Sequence, residues 1–170
     1  PEGFRELAKY LVSNPGNEFT FRKLGEITGI KDVHTVKDYV SYLEETYLIF
    51  TLKRFSYKLK QQMIAPKKIY AIDQGLPNFV SFRVSNDRGR VMENVVLVEL
   101  MRRVSRAGGQ EIYYWKTQHA EVDFVLKEVP KVTQLIQVCY DTGNPETRKR
   151  ELMALMHSVH QWICPSFKRL

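Results

Sequence analysis

Cysteine is scarce in this sequence, and long apolar runs are missing from it. Cys139 and Cys164 are the two cysteines among 170 residues, too few for a disulfide framework, so a reducing, cytoplasmic location is expected. No apolar run approaches the ~20 residues of a transmembrane helix, and no membrane partner is expected. The chain runs from Pro1 straight into a mixed helical pattern. We therefore expect no signal peptide and, without an initiator Met, a fragment or a processed product.

Motifs for nucleotide and metal binding are also missing. No G-x-x-x-x-G-K-[ST] sequence occurs, so ATP binding is not assigned to these residues. His157 and His160 lie three residues apart with no third ligand in view. They are expected to form the polar side of a helix rather than a zinc site. No cofactor is expected, apart from a weak possibility of Mg²⁺ considered below.

Positive charge is in excess, and part of it is concentrated in one stretch. Lys and Arg number 26 against 19 for Asp and Glu, a formal net charge of +7, which favours polyanionic partners. Between Thr51 and Lys68 there is no acidic residue, while the basic ones are Lys53, Arg54, Lys58, Lys60, Lys67 and Lys68. This stretch is either the solvated face of a hairpin or a strip that contacts phosphates.

The first eighty residues carry the pattern of three helices followed by two strands. Apolar residues recur at helical spacing from Phe4 to Val12, and Ser13 to Gly16 ends this helix. Thr20 is expected to cap a second helix whose apolar stripe is Phe21, Leu24 and Ile27, and Gly29 to end it. A third helix follows Lys31-Asp32, with Val33, Val36, Val40 and Leu43 facing inward. Residues 48–52 and 67–72 read as strands.

Two helices joined by a short turn that contains Gly form a helix-turn-helix pattern, and the added hairpin predicts a winged helix. If this half binds duplex DNA, the expected contacts are on the third helix and on the hairpin: His34, Thr35, Lys37, Lys53, Arg54, Lys58 and Lys60. The alternative is a protein-interaction module, since Asp38, Glu44 and Glu45 would repel phosphate.

A polar stretch, Ser81 to Gly89, reads as a linker after a short helix that runs through Phe79-Val80. It divides the chain into a winged-helix domain over 1–80 and a second domain over 90–170. We expect each domain to have a separate core.

The second half has the order helix, three strands, helix. The helix is predicted over Val91 to Val104, with Val91, Val95, Val98 and Met101 on one face and Leu97 and Leu100 beside it, and Gly108-Gly109 ends it. The strands are predicted over 112–115, 122–126 and 132–140, and the last helix begins near Glu146. This order predicts an α/β or α+β domain with a mixed central sheet.

The placement of polar residues in this half resembles the restriction-endonuclease-like PD-(D/E)XK fold. The resemblance puts Glu93 at the helix acid, Asp123 at the metal-holding acid, and Gln137 and Cys139 at the E-x-K positions. Active members hold Mg²⁺ with their strand acids and use the Lys to activate water. Because an amide and a thiol replace a carboxylate and an ammonium, these four positions are interpreted as vestigial, with Asp123 a weak metal candidate. The alternative for Asp123 is a strand residue paired with Lys116 or Arg102.

Four blocks of the sequence together resemble the C-terminal region of prokaryotic, especially archaeal, AAA-type ATPases, which carry a winged helix and a PD-(D/E)XK-like domain of unknown function. The blocks are residues 38–49 (DYVSYLEETYLI), 66–76 (PKKIYAIDQGL), 89–96 (GRVMENVV) and 121–126 (EVDFVL). The resemblance implies an ATPase module N-terminal to residue 1 of the parent protein. The stretch from Met156 to Leu170 lacks the strand that the family adds next, which indicates a truncated or diverged copy.

The leading hypothesis is a non-catalytic, DNA-binding or regulatory C-terminal module of an AAA-type ATPase, with a degenerate nuclease-like domain. One alternative is a Mg²⁺-dependent nuclease that uses Asp123 with atypical partners. The other is a protein-interaction module that does not touch nucleic acid.

Overall fold

The computed structural model describes residues 2–73, 75–76, 88–140 and 143–162, with all their side chains except those of 107 and 158–162. These residues form an α+β protein with two three-stranded sheets, the fold class that the sequence predicts. The elements are α1 (Glu2–Val12), β1 (Glu18–Phe19), α2 (Phe21–Thr28), α3 (Val33–Glu45), β2 (Ile49–Leu52), α4 (Leu59–Ile64), β3 (Lys67–Ala71), α5 (Arg88–Ala107), β4 (Gln110–Lys116), β5 (Glu121–Glu128), β6 (Lys131–Ile136) and α6 (Pro145–Trp162).

Some sequence predictions fall outside the described residues. They are the helix through Phe79-Val80, Cys164, the side chain of His160 and the linker over 81–87. The last two residues of the predicted linker, Arg88 and Gly89, are described, and they belong to the start of α5.

The capping residues predicted for the first half are confirmed. The Thr20 hydroxyl accepts a hydrogen bond from the Lys23 backbone N–H, and Gly29 ends α2 in the left-handed conformation at φ 70°. Asp32 caps α3 by accepting from the backbone N–H groups of His34 and Thr35. One inward residue was predicted wrongly: Ile27 is 46% exposed.

The predicted hairpin is present, with β2 and β3 antiparallel and β1 paired to the other edge of β3. The basic stretch between β2 and β3 is not a simple loop, because it includes α4, which has no buried residue. β3 is the central strand of this sheet, and its Lys68 is paired on both sides, with Glu18 of β1 and Leu52 of β2.

The second sheet has the order β4-β5-β6 and is antiparallel throughout, whereas the sequence predicted a mixed sheet. Apart from this sheet, Arg54 of the first half forms an isolated parallel bridge to Tyr114 of β4. The third strand ends at Ile136 rather than at Tyr140. In α5, the predicted apolar positions Leu97 and Leu100 are buried and Val95 is half exposed, while the polar Asn94 is fully buried.

The two halves share a hydrophobic cluster, so the prediction of two separate cores is wrong. Leu52 and Tyr70 of the hairpin pack with residues of the second half: Leu97, Leu100, Tyr114, Phe124 and Leu126. Two backbone hydrogen bonds join the halves as well, from Phe55 N–H to the Tyr114 carbonyl at 2.7 Å and from Tyr114 N–H to the Lys53 carbonyl at 3.2 Å. The placement of the domain boundary itself stays a prediction.

The last helix, α6, packs on the second sheet through the buried Ala154, while its predicted apolar positions Leu152 and Met156 are at least half exposed. Among the helices of the described residues, none has the length and apolar character to cross a membrane.

Candidate functional site

A buried lysine lies among three carboxylates where the two halves meet. The Lys68 ammonium is 2.6 Å from Glu121 Oε1, 2.9 Å from Glu93 Oε1 and 3.8 Å from Asp123 Oδ1. Its side chain is 4% exposed. We call these four residues the lysine–carboxylate cluster. It combines one residue of the first half with three of the second.

Each member of the lysine–carboxylate cluster is held by a regular element. Lys68 is on the central strand β3, and Glu93 is in the second turn of α5. Glu121 and Asp123 are two residues apart on β5, so strand alternation directs both to the same face. Both reach Lys68.

Two further contacts fix α5 against β3. Tyr70 is two residues beyond Lys68, and its hydroxyl donates a 2.6 Å hydrogen bond to Glu93 Oε1. The Asn94 side-chain amide donates to the Ala71 carbonyl at 2.7 Å and accepts from the Ala71 N–H at 2.8 Å. Asn94 therefore pairs with the edge of β3 beyond the end of β1, as a neighbouring strand would.

Lys116 extends the charged network toward the surface. Its ammonium is 3.0 Å from Glu121 Oε2 and 3.1 Å from Glu18 Oε2. Glu18 is on β1, so this ion pair also joins the two halves. Within the extended network four carboxylates face two ammonium groups, which leaves an excess of negative charge.

Burial and the excess negative charge shift the pKa values of groups inside the lysine–carboxylate cluster. Burial, assisted by the neighbouring Glu93 carboxylate, raises the pKa of Asp123 to about 7, although the Val138 N–H and Lys68 act in the opposite direction. Burial alone would lower the pKa of Lys68, but Glu93 and Glu121 outweigh it and hold that pKa above its ordinary value. Lys68 is therefore a permanent cation, and Asp123 is the group that takes up a proton near neutrality.

The predicted vestigial positions Gln137 and Cys139 lie just beyond the end of β6. Gln137 Oε1 accepts from the Asp123 backbone N–H at 3.2 Å, and its Nε2 donates to Glu151 Oε2 at 2.8 Å. The Val138 N–H donates to Asp123 Oδ2 at 2.8 Å. Gln137 thus ties Asp123 to α6, and Cys139 is half-buried nearby in sequence.

The cation beside Asp123 was not foreseen. The sequence analysis named Lys116 or Arg102 as its partner, but Lys116 pairs with Glu18 and Glu121, and Arg102 pairs with Glu99 on α5. The basic residue that approaches Asp123 is Lys68, which is 55 positions away in the sequence and was assigned to the hairpin's charged stretch. The position of Lys68 in β3, directly before Ile69 and Tyr70, gave no sign in the sequence that its side chain would pair with Asp123.

These residues do not fit the Mg²⁺ that the PD-(D/E)XK resemblance implies. The ammonium of Lys68 fills the space onto which the carboxylates converge. Gln137 uses both polar atoms on protein partners. Within the described part of the chain, no group of three or more His, Cys, Asp or Glu side chains is arranged to hold a metal ion. The arrangement can hold a proton on Asp123 and can join two halves of the protein, but it presents no open metal position.

A cleft of about 620 Å³ opens beside this cluster. Asp123 and Gln137 lie at its wall, together with the turn between β4 and β5 and the inner side of α6; the side chains that line it include Lys116, His119, Glu121, Arg150 and His157. The charges on its wall are of both signs, which favours no single class of ligand. The ring of His157 is 6.0 Å from that of Trp115.

The residues predicted to contact DNA separate into two groups in space. Lys37 of α3 and Lys67 of β3 both place their ammonium groups over the Phe21 ring, at 5.7 and 5.0 Å from its centroid. Burial lowers the pKa of Lys67, and the charges of Lys53 and Lys37 lower it further against the opposing effect of Glu44. Lys37, Lys53 and Lys67 therefore form a basic cluster where α3 meets the hairpin. All three were named from the sequence, Lys67 only as part of the basic stretch and not among the expected DNA contacts.

The remaining predicted contacts lie elsewhere. His34 and Thr35 are at the N-terminus of α3, where the Thr35 hydroxyl donates to Asp32 at 2.8 Å. Lys58 and Lys60 are at the start of α4, and Arg54 is half-buried in the bridge to Tyr114.

Comparison with known families places the chain among domains of unknown function. Residues 1–87 match the domain of unknown function DUF8612. The chain belongs to the DUF8612 family. Residues 88–163 match a second domain of unknown function, DUF4143. The lysine–carboxylate cluster takes Lys68 from the DUF8612 region and its three acids from the DUF4143 region.

Two relatives are similar to this DUF8612 protein. The uncharacterized protein MJ1544 of Methanocaldococcus jannaschii is 36% identical over 159 residues, which cover 90% of this chain and 34% of the relative. An uncharacterized protein of Haemophilus influenzae is 24% identical over 108 residues, 64% of this chain and 26% of the relative. The chain thus spans about a third or less of the length of these relatives. No solved structure matches it.

Proposed function

We propose that this chain is a non-catalytic module that binds duplex DNA through α3 and the basic cluster of Lys37, Lys53 and Lys67. The observation that carries the proposal is that the ammonium groups of Lys37 and Lys67 both lie over the Phe21 ring, with Lys53 close enough to lower the pKa of Lys67. Like charges are held together at a cost in free energy, and a phosphate placed among them would offset that cost.

The surrounding architecture supports a winged-helix mode of binding. α3 follows α2 after a short turn. The hairpin contacts the C-terminal end of α3 through the hydrogen bond from the Thr51 hydroxyl to Glu44, and its Lys67 lies over Phe21 of α2. In this mode the N-terminal residues of the second helix approach base edges and the hairpin contacts the backbone. His34 and Lys37 would then influence sequence preference, whereas Lys53 and Lys67 would contact phosphates.

The lysine–carboxylate cluster supports the non-catalytic part of the proposal. A nuclease of the PD-(D/E)XK type needs an open divalent metal position and a Lys beside the scissile phosphate. Here Lys68 neutralises the acids from inside, and Gln137 and Cys139 supply neither the second strand carboxylate nor the ammonium. We further propose, from the resemblance to archaeal AAA-type ATPases and from the greater length of the relatives, that this module serves an ATPase in its parent protein.

The test is a titration of a labelled DNA duplex by fluorescence anisotropy between about 50 and 200 mM salt. The variant Lys37→Ala/Lys53→Ala/Lys67→Ala should bind more weakly on all sequences. Its log K against log salt slope should fall by about 2–3, since each lost phosphate contact contributes about 0.9. The matched control Lys9→Ala/Lys131→Ala/Lys149→Ala loses the same net charge at exposed positions and should keep the wild-type slope.

Equal losses in both triple variants would show that only net charge matters and would remove the basic cluster as the binding site. The alternative of a nuclease is tested in parallel with Mg²⁺ and Mn²⁺ on single-stranded and duplex DNA. No cleavage is expected; metal-dependent cleavage that disappears in Asp123→Ala would establish the nuclease instead.

A protein-interaction module is the second candidate, and one surface favours it. The side chains of Leu59, Met63 and Ile64 on α4 are 68, 74 and 73% exposed. Exposed large apolar groups in one short helix are typical of contact surfaces. Absence of DNA binding by the wild-type chain at low salt would transfer the proposal to this function.

A further inference from the structure

The carboxylate site of the second half is closed by a cation that the first half supplies. The Nζ of Lys68 is within hydrogen-bonding distance of Glu93 and Glu121 and 3.8 Å from Asp123. These acids come from two different elements of the DUF4143 region, α5 and β5, while Lys68 comes from β3 of the DUF8612 region. These ion pairs therefore join the region that matches DUF8612 to the region that matches DUF4143.

The geometry of this cluster is that of an ammonium group, not of a metal ion. The 2.9 Å distance to Glu93 is that of a charge-assisted N–H···O bond and exceeds the about 2.0–2.6 Å at which Mg²⁺ and Ca²⁺ bind oxygen; the contact with Glu121 is shorter, at 2.6 Å. Three carboxylates facing one ammonium nevertheless carry the charge that a divalent cation would balance.

We infer that Lys68 is a built-in substitute for a divalent cation, which keeps metal ions out of the Glu93–Glu121–Asp123 site for as long as β3 lies against α5 and β5. The site therefore holds the two halves together, and we call it the latch. Its acids bind Lys68 and take no part in catalysis. This inference concerns the second half and does not depend on whether the basic cluster binds DNA.

Removal of the ammonium should convert the latch into a metal site. In Lys68→Ala the three acids lose their internal cation, and the truncated side chain leaves space for an ion. We expect the variant to bind one Mn²⁺ and to gain about 5–10 °C in Tm when Mn²⁺ exceeds its Kd about 100-fold. The wild-type chain and Lys68→Arg, which keeps the positive charge, should show no Mn²⁺-dependent change in Tm.

The experiment measures Tm by circular dichroism with and without MnCl₂, and counts bound Mn²⁺ by electron paramagnetic resonance. The double variant Lys68→Ala/Asp123→Asn should lose the gain, because one of the three acids is then neutral. A Lys68→Ala chain that folds only when Mn²⁺ is added would also support the inference. It is overturned if the wild type is itself stabilised by Mn²⁺ through Asp123. It is equally overturned if Lys68→Ala gains nothing from Mn²⁺, whether it is folded or stays unfolded at millimolar metal.

Discussion

At the scale of single residues, three polar side chains fix the contact between the two halves. Lys68 and Asn94 are buried, and the hydroxyl of the fully buried Tyr70 reaches Glu93. Buried polar groups are tolerated when they are hydrogen-bonded, and leaving one partner unpaired costs about 1–3 kcal/mol. These residues therefore specify how β3 and α5 meet, because any other register leaves their polar atoms without partners.

Asp123 makes the stability of the folded protein depend on pH. The unfolded chain has an ordinary aspartate pKa near ~3.9, whereas burial and Glu93 raise the pKa of folded Asp123 to about 7. Between these values the folded state binds more protons. The contribution of Asp123 to stability is thus fully present below about pH 4 and is lost as the pH rises through about 7.

The prediction is tested with Asp123→Asn, which keeps the shape and removes the titration. The wild-type minus variant difference in the free energy of unfolding should fall by about 1 kcal/mol or more between about pH 4 and pH 8, measured by urea denaturation. Glu99→Gln is the control, because the pKa shift of Glu99 has the opposite sign: Arg102 and Arg103 lower the pKa of this exposed carboxyl group. For Glu99→Gln, the wild-type minus variant difference in the free energy of unfolding should stay constant or rise over that pH range. A constant difference for Asp123→Asn would contradict the prediction.

At the scale of elements, the turn between α2 and α3 depends on two glycines for different reasons. A Cβ at Gly25 would lie 2.7 Å from the Ile30 carbonyl oxygen, so Gly25 permits close approach of the turn to α2. Gly29 has open space around it but a φ of +70°, which costs an L-residue about 1 kcal/mol.

Gly25→Ala should therefore destabilise the protein by about 1–3 kcal/mol, because a backbone oxygen must move to relieve the overlap. Gly29→Ala should cost about 1 kcal/mol. Both are measured as shifts of the urea midpoint at constant m-value. If Gly25→Ala were the more stable of the two, helix propensity would outweigh the contact, and the close approach would not be a constraint on α2 and α3.

At the scale of the whole molecule, the shared cluster and the backbone bonds between Phe55, Lys53 and Tyr114 predict that the halves unfold together. Leu7 is fully buried in the cluster of the first half, whereas Trp115 is buried in the second. Leu7→Ala should lower the free energy of unfolding by about 2–5 kcal/mol. Trp115 fluorescence and circular dichroism should report the same loss.

Independent cores would give a different result. The fluorescence transition, which reports on the second half, would then stay at its wild-type midpoint while the circular dichroism transition broadened or split. Leu97→Ala serves as the matched variant in the shared cluster, where the fully buried Leu97 packs with Tyr70. It should shift both signals equally under either arrangement.

The local elements of this protein follow from its sequence, because their causes are local. Thr20, Gly29 and Asp32 cap helices through hydrogen bonds and backbone angles within three residues of themselves, and the period of apolar residues indicates helix or strand. Ile27 and Val95 belong to the predicted apolar faces of their helices, but both are about half exposed, since the neighbour against which a helix packs decides which of its apolar residues are buried.

Only the tertiary structure decided which charges meet. The sequence singled out Glu93 and Asp123 as acids and read Lys68 as one of several hairpin lysines, but it held no information on the packing of β3 against α5 and β5. Burial then turned one ordinary lysine into the partner of three carboxylates and raised the pKa of Asp123 to about 7. Such pairings depend on distances between residues far apart in the chain, which spacing along the sequence does not encode.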